Sequence, residues 1–308
     1  MPVRIPRPWE RNAPEATPEG VWRERRALLR AMGYGLGAAA LAPRGGAAQE
    51  TADPASPAAR NPRYSLDRPL TEEDVAARFN IFDELAGAKD EVWRAAEGFP
   101  TDPWKIHVGG QVRRQRTLDA SELGRLFGQE ERLYRHRCVE TWAMAVPWTG
   151  FPLARLVELA EPLAKARFVR FVSAALPEQM PGWYATRRVF PYYEALSIEE
   201  ATNELAFVAT GIYGHPLPPQ HGAPLRLVVP WKYGFKSAKS IAGIAFTTER
   251  PPTFWSDLSP DRYDFLANVD PTAVEPWPQS HETMLGTDER RETLPFNGYG
   301  EMVASLYR

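Results

Sequence analysis

The sequence of 308 residues contains a single cysteine, Cys138, so it has no intrachain disulfide. It has no Cys-x-x-Cys-His haem-attachment motif and too few cysteines to hold an iron–sulfur cluster. Its one glycine-rich stretch, residues 33–37, follows no predicted strand, which argues against a nicotinamide site. These absences exclude several common electron carriers from the chain itself.

The chain also lacks a long apolar run, an internal repeat and an excess of positive charge. Its net charge is −2, and residues 49–308 hold 29 basic against 35 acidic side chains, which argues against nucleic-acid binding. The hydrophobic content of 44% is that of a globular protein with a real core. Thirty prolines favour loops and short strands over long helices, so we expect a β-rich chain.

The amino-terminal segment has the pattern of a twin-arginine export signal. Arg25 and Arg26 precede a weakly apolar stretch, residues 31–42, which is too short to span a bilayer and is followed by small residues up to Ala48. We predict a signal peptide over residues 1–48 and localisation in the periplasm. An ordinary amphipathic arm is the alternative. Because this route exports folded proteins, the signal also favours a bound cofactor.

Behind the predicted signal, residues 49–70 are rich in alanine and proline and predict a linker or N-terminal arm. Residues 71–308 then form one predicted catalytic domain. Hydrophobic periodicity and turn residues predict short helices from Thr71 and over 118–127 and 152–160, and strands over 104–108, 168–173, 206–210, 225–229 and 241–246. We expect the residues from 251 onward to form an irregular arm.

Cys138 ends a strand-like run and has unusual neighbours. Arg135, His136 and Arg137 precede it and Trp142 follows. Neighbouring cations lower the pKa of a thiol, and a thiolate is a soft metal ligand. A free cysteine is more often a small buried hydrophobe, so both interpretations stay open on these residues alone.

A second candidate site surrounds Arg226, which interrupts an apolar strand. Burying a guanidinium is costly unless an anion pairs with it, and a phosphate can do so through two hydrogen bonds. Lys232, Lys236 and Lys239 follow, and such a cluster in an acidic chain favours an anionic ligand. A solvated basic loop is the alternative.

Four short motifs point to a known family. They are Arg-Cys-Val-Glu, Val-Pro-Trp-Thr-Gly-Phe-Pro-Leu, Pro-Glu-Gln-Met-Pro-Gly and Pro-Trp-Lys-Tyr-Gly-Phe-Lys-Ser, starting at residues 137, 146, 177 and 230. In this order they resemble the catalytic subunits of periplasmic protein-methionine-sulfoxide reductases, which are molybdopterin enzymes of the sulfite-oxidase type. The resemblance extends from about residue 61 to residue 308.

The resemblance implies an α+β fold of the sulfite-oxidase type, with mixed β-sheets, short helices and long loops. It implies one Mo-molybdopterin per chain, with Cys138 as metal ligand and catalytic residue. The implied cofactor-binding residues are Asn80, Asp83, Glu84, Cys138, Ser173, His221, Arg226, Ser237, Ala238 and Lys239. Asp83, Ser173 and His221 replace a tyrosine, a threonine and an asparagine of the family. The loop 177–182 is expected beside the site, with Trp183 and Tyr184 as candidate rim residues.

The implied function is reduction of methionine sulfoxide in oxidised periplasmic proteins, which repairs a reversible lesion. Electrons are expected from the quinone pool through a haem-containing integral membrane subunit, since the chain has no carrier of its own. Candidate general acids are Glu140, Asp83 and Glu84. One alternative is sulfite oxidation, for which the candidate arginines are Arg135, Arg137, Arg187 and Arg188. Another is a cofactor-free periplasmic binding module in which Cys138 belongs to the core.

Overall fold

The structure is a computed structural model that describes residues 58–185 and 190–308. The predicted signal peptide, together with Arg187 and Arg188, lies outside the described residues. No helix within the two described ranges is long and apolar enough to cross a membrane.

Short strands dominate the described residues, as the proline content predicted. The strands are β1 (Lys105–Gly110), β2 (Arg116–Asp119), β3 (Glu130–Arg137), β4 (Trp142–Pro152), β5 (Phe168–Ser173), β6 (Tyr193–Ser197), β7 (Phe207–Ile212), β8 (His215–Pro216), β9 (Arg226–Val228), β10 (Ile241–Thr247), β11 (His281–Met284) and β12 (Arg290–Glu292). Each predicted strand is present to within two residues, whereas six further strands were not predicted: β2, β4, β6, β8, β11 and β12.

The strands form two mixed sheets. The first has the order β2-β1-β10-β5-β6, in which only the β1–β10 pair is parallel. The second follows the order β12-β11-β4-β7-β8, with β3 on β4 and β9 on β7. The eleven-residue strand β4 organises this sheet: β3 runs along one edge, and the other edge is shared by β11 and β7.

Short helices connect the strands. They are α1 (Glu73–Arg78), α2 (Val92–Ala95), α3 (Ala120–Phe127), α4 (Leu153–Ala160), α5 (Gly182–Ala185), α6 (Ile198–Thr202), α7 (Phe254–Leu258) and α8 (Gly300–Val303). Helix α3 begins after Asp119, whose side chain accepts a hydrogen bond from the Ser121 amide, rather than at the predicted residue 118. The mixed sheets and short helices confirm the predicted α+β class.

Thr71 does not cap α1 as predicted. The N-cap is Glu72, which makes no side-chain capping hydrogen bond. The Thr71 hydroxyl instead accepts a hydrogen bond from the Ala145 amide at 3.1 Å, and the Thr71 amide donates to the Ala145 carbonyl at 2.9 Å. Tertiary pairing with β4 therefore takes the oxygen that a local cap would have used.

Both ends of the described chain are more integrated than the sequence indicated. The predicted irregular arm from residue 251 supplies α7 and the β11–β12 hairpin, which joins the second sheet beside β4. In the predicted linker, Tyr64 packs edge-on against Tyr134 with ring centroids 5.5 Å apart, and Arg68 is buried against Glu282. These two side chains of the predicted arm are therefore buried in the domain.

Candidate functional site

One cavity of about 370 Å³ collects the residues predicted from separate parts of the chain. Nine of the ten predicted cofactor residues line it: Asn80, Asp83, Glu84, Cys138, Ser173, His221, Arg226, Ser237 and Lys239. Its size suits a bound small molecule. Ala238 is buried, and its amide donates to the Lys236 carbonyl at 3.2 Å while its carbonyl accepts from the Leu227 amide at 2.9 Å. Its backbone groups therefore hold the β9–β10 connection together.

Cys138 sits in the turn between β3 and β4. The Cys138 amide donates to the Trp142 carbonyl and the Cys138 carbonyl accepts from the Thr141 amide, each at 3.0 Å, while Thr141 has a positive φ of 75°. This closed turn presents the sulfur to the cavity, where the Glu140 amide donates to Sγ at 3.4 Å. A non-glycine residue with positive φ is unusual and is a conformation often found at functional sites.

The cations before Cys138 do not lower its pKa as the sequence suggested. Burial raises the pKa of the Cys138 thiol to about 12, and Arg137 opposes this only in part. Arg135 is directed away, to Asp67 at 3.0 Å and to the Asn297 carbonyl at 2.9 Å. Arg137 pairs with the buried Glu282, with Nε to Oε2 at 3.4 Å. In the protein without a ligand, the thiol is therefore protonated at neutral pH.

Arg226 is buried in the cavity wall without a carboxylate partner among the described residues. Its guanidinium donates only to backbone carbonyls: to His221 at 3.1 Å, to Leu227 at 3.3 Å and to Ser237 at 3.4 Å. Burial lowers its pKa to about 10. These contacts orient the guanidinium and leave its charge uncompensated.

Lys239 adds a second charge to the same wall. Burial and the nearby Arg226 lower its pKa, whereas Glu84 and Cys138 act in the opposite direction. Within the described ranges its ammonium forms no ion pair, and it lies 5.5 Å from the centre of the Phe82 ring. We call Arg226 and Lys239 the cationic wall.

The cationic wall keeps two histidines neutral. Burial, followed by Arg226 and Lys239, lowers the pKa of both His136 and His221 to about 3. Both rings line the cavity, where His221 packs edge-on against Trp148 with centroids 6.3 Å apart. Neutral imidazoles can still donate and accept hydrogen bonds to a ligand.

Two buried oxygen atoms of the cavity have no hydrogen-bond partner among the described residues, Oε1 of Glu84 and Oγ of Ser173. Burial raises the pKa of Glu84, which Lys239 opposes. Buried polar atoms are nearly always satisfied in folded proteins, so unsatisfied ones that face a cavity indicate a polar ligand. With the cationic wall they favour an anion that forms several hydrogen bonds.

The three lysines of the predicted cluster do not share one site in the structure, which corrects that prediction. Lys232 pairs with Glu200 at 2.5 Å and Lys236 with Glu194 at 3.0 Å, and all four side chains are buried. Their charges are already neutralised in structural ion pairs. Only Lys239 of the three lysines lines the cavity.

Several lining residues were not predicted. Lys89, Trp142, Tyr192 and Trp277 all border the cavity. Lys89 Nζ lies 2.9 Å from Glu140 Oε2, which also accepts from the indole nitrogen of Trp142 at 3.2 Å. Only Trp142, four residues after Cys138, carried a signal in the sequence. The other three come from segments without a motif.

The two predicted rim residues are placed elsewhere. Tyr184 is 77% exposed, and Trp183 packs on Phe190 with ring centroids 5.2 Å apart. Neither is among the residues that line the cavity. The loop before them does lie beside the site as expected, because the Gly182 amide donates to the Leu85 carbonyl at 3.0 Å.

Gly182→Ala is expected to disturb the loop that carries Asp83 and Glu84. A Cβ at this position would lie 2.1 Å from the Asp83 carbonyl oxygen and 2.9 Å from the Glu84 carbonyl carbon, so the backbone must move. We expect a loss of about 1–3 kcal/mol in the free energy of unfolding. Gly87→Ala is the control, since its Cβ would meet nothing within 4 Å, and it should change stability by less than about 0.5 kcal/mol. Equal urea midpoints for the two variants would contradict the prediction.

Comparison with known proteins identifies the class. Residues 95–255 match the family model of the oxidoreductase molybdopterin binding domain. The sulfane dehydrogenase SoxCD from Paracoccus pantotrophus aligns with a TM-score of 0.40 and 14% identity, over 62% of this chain and 45% of that one. Because it matches this family model, the chain belongs to the molybdopterin-binding oxidoreductases.

A full-length relative narrows the class. The catalytic subunit MsrP of protein-methionine-sulfoxide reductase from Burkholderia mallei is 42% identical over 309 aligned positions, which cover 96% of this chain and 92% of the relative. The chain is therefore a member of the family of protein-methionine-sulfoxide reductase catalytic subunits. This confirms the resemblance drawn from the four motifs.

Proposed function

We propose that this chain reduces methionine sulfoxide in oxidised periplasmic proteins to methionine, with one Mo-molybdopterin bound in the cavity. The observation that carries the proposal is that a thiol and two cations, neither of them in an ion pair among the described residues, line a single cavity. A soft metal ligand at one position and an anion site at another fit a molybdenum ion and the terminal phosphate of a pterin.

The residues present fit this cofactor in charge and in hydrogen bonding. Cys138 would ligate the metal, and Arg226 with Lys239 would bind the phosphate. The unsatisfied Ser173 and Glu84 oxygens, together with polar groups of the remaining lining residues, would bind the pterin: Asn80, Asp83, His221 and Ser237. Ala238 would help to position Ser237 and Lys239, because its own amide and carbonyl already form backbone hydrogen bonds.

When bound, the cofactor supplies oxygen-atom transfer and a two-electron redox change. The net reaction consumes the sulfoxide, two electrons and two protons and yields a thioether and water. We place the proton supply at the Lys89–Glu140 pair, because the Lys89 ammonium carries a proton 2.9 Å from the Glu140 carboxylate and the Glu140 amide contacts the Cys138 sulfur.

The electron donor and the location of the protein are part of the same proposal. A haem-containing integral membrane subunit fed by the quinone pool would supply the electrons, since the sequence holds no haem-attachment motif, iron–sulfur ligand set or nicotinamide motif. Export by the twin-arginine pathway would place the folded, loaded chain in the periplasm. The relative is itself described as a catalytic subunit, which is consistent with a separate electron-transfer partner.

Sulfite oxidation is less well supported. It would need arginines around the substrate, but Arg135 and Arg137 are engaged with Asp67 and Glu282 and do not line the cavity. A cofactor-free binding module would explain the cationic wall only if some other anion binds there.

The decisive experiment measures molybdenum and pterin per chain in protein exported with its own signal, followed by activity on a methionyl sulfoxide and on sulfite. We expect one molybdenum per chain and activity on the sulfoxide only. A metal-free protein from cells that make the cofactor would overturn the proposal, and activity on sulfite alone would favour the alternative enzyme.

Lys239→Met is expected to stabilise the cofactor-free protein and to weaken its binding of the cofactor. The unpaired ammonium is buried at a cost, so its removal should stabilise the cofactor-free protein by about 1–2 kcal/mol. The same change removes a phosphate ligand and should lower the pterin content at least about tenfold. The exposed Arg250 serves as control: Arg250→Met should change neither quantity. Unchanged pterin content in Lys239→Met would contradict the assignment of the cationic wall.

A further inference from the structure

Several aromatic side chains that the cofactor assignment does not use line the cavity, and three of them are Phe79, Trp142 and Trp277. Phe79 and Trp142 pack edge to face with centroids 5.2 Å apart. Trp277 is 39% exposed although it also lines the cavity, so one part of this large apolar ring faces solvent and another part faces the cavity.

Gln279 ties Trp277 to the turn that carries the catalytic cysteine. Its buried side-chain amide donates to the Val139 carbonyl at 2.7 Å and to the Trp277 carbonyl at 2.8 Å. Its backbone amide donates to the Ala273 carbonyl at 2.9 Å, which closes the loop on itself. One side chain therefore fixes the position of residue 277 relative to residue 139, the neighbour of Cys138.

We propose that Trp277 binds the side chain of the methionine sulfoxide substrate, and that Gln279 is the positioning residue that holds Trp277 at the opening. The inference rests on the proposed function. Methionine sulfur and its methylene groups pack favourably on aromatic rings, and a half-exposed tryptophan at the entrance of a cavity offers such a surface.

The substrate class that fits is a methionine sulfoxide within a polypeptide. Trp277 lies on the loop that also carries Val274, which is 71% exposed. The residues that flank a side chain entering past Trp277 would contact this loop. A small sulfoxide such as dimethyl sulfoxide has neither the methylene chain nor the flanking peptide groups and gains little from it.

Trp277→Leu in the molybdenum-loaded protein tests the inference with two substrates. For N-acetylmethionine sulfoxide methylamide we expect KM to rise about five- to tenfold with kcat changed less than about twofold, because the ring contributes binding rather than chemistry. For dimethyl sulfoxide KM should change less than about twofold. Trp277→Phe keeps a ring and should return KM to within about twofold of the wild type.

Binding of the product gives a readout that does not depend on turnover. The Kd of N-acetylmethionine methylamide, measured by calorimetry on the loaded protein, should rise in parallel with KM in Trp277→Leu. Trp93→Leu is the matched control, since Trp93 is a partly exposed tryptophan on α2, beside Arg94 and outside the cavity lining. It should leave KM, Kd and molybdenum content unchanged.

Gln279→Leu removes both donors and should raise KM for the peptide-like substrate in the same direction, without changing the molybdenum content. Should this buried variant fail to fold, the surface variant Trp277→Leu decides alone. Wild-type KM and Kd in Trp277→Leu would overturn the inference and leave the proposed function intact. A loaded wild-type protein that reduces no sulfoxide would instead overturn the proposed function, and the inference with it.

Discussion

Replacing Cys138 by serine is expected to remove molybdenum from the protein and to lower activity by at least about a hundredfold, the loss of a group that touches the reacting centre. In the proposed function the thiolate is the soft ligand of the metal, and a serine hydroxyl does not ionise at neutral pH. Cys138 is 5% exposed and lines the cavity, and the change to serine is nearly isosteric, so we expect the turn between β3 and β4 to stay intact. Metal analysis and assays on matched preparations of both proteins provide the measurement.

The outcome separates a metal ligand from an ordinary core residue. A cysteine that only packs with Val139, Tyr233 and Val269 would, on change to serine, lose about 1–3 kcal/mol of stability through a buried hydroxyl and keep its metal. Full molybdenum content in Cys138→Ser, whatever its stability, would therefore contradict the assignment. Unchanged urea denaturation of the cofactor-free variant would show that any loss of metal is not a loss of fold.

The residues that the sequence predicted to share a site come from separate segments of the chain. The strand before Cys138, the buried Arg226 and the loop at Asp83 and Glu84 all reach one cavity, although no single local rule links them. Hydrophobic periodicity predicted the strands, and the resemblance to a family predicted that these residues bind one cofactor. The long-range pairing of β4 with both β7 and β11, which brings these segments together, has no local signature.

The charges show why the rest was not predictable. Lys232, Lys236 and Lys239 look equivalent in sequence, yet two of them meet buried glutamates more than thirty positions away and only Lys239 reaches the cavity. The pKa of Cys138 follows the same rule. Its cationic neighbours suggested a thiolate, but Arg135 and Arg137 pair with Asp67 and Glu282. Desolvation of the thiol then outweighs the opposing effect of nearby cations on its pKa.

Glu282 should be among the most costly charges to remove from this protein. Its side chain is 3% exposed and lies between two buried guanidinium groups, that of Arg68 from the N-terminal arm and that of Arg137 from β3. Glu282→Gln keeps the shape but leaves Arg137 without a carboxylate partner among the described residues, and Arg68 with only the half-exposed Asp67. We expect the free energy of unfolding to fall by about 3–5 kcal/mol. The control is Glu289→Gln in the same hairpin, where the half-exposed pair with Arg291 should contribute less than about 1 kcal/mol.

Under the proposed function, the same substitution should also lower the molybdenum content. Glu282 pairs with Arg137, and Arg137 donates a hydrogen bond to the carbonyl of Cys138. Arg137 is fully buried and is fixed on its other side by Thr293 Oγ1 at 3.2 Å. This connection is tested by the double variant Arg68→Met, Glu282→Gln. Since Arg68→Met removes one of the two buried cations, the double variant should be more stable than Glu282→Gln alone. If the losses in free energy of unfolding of Arg68→Met and Glu282→Gln simply add in the double variant, the groups act independently. The N-terminal arm would then not support the Cys138 turn.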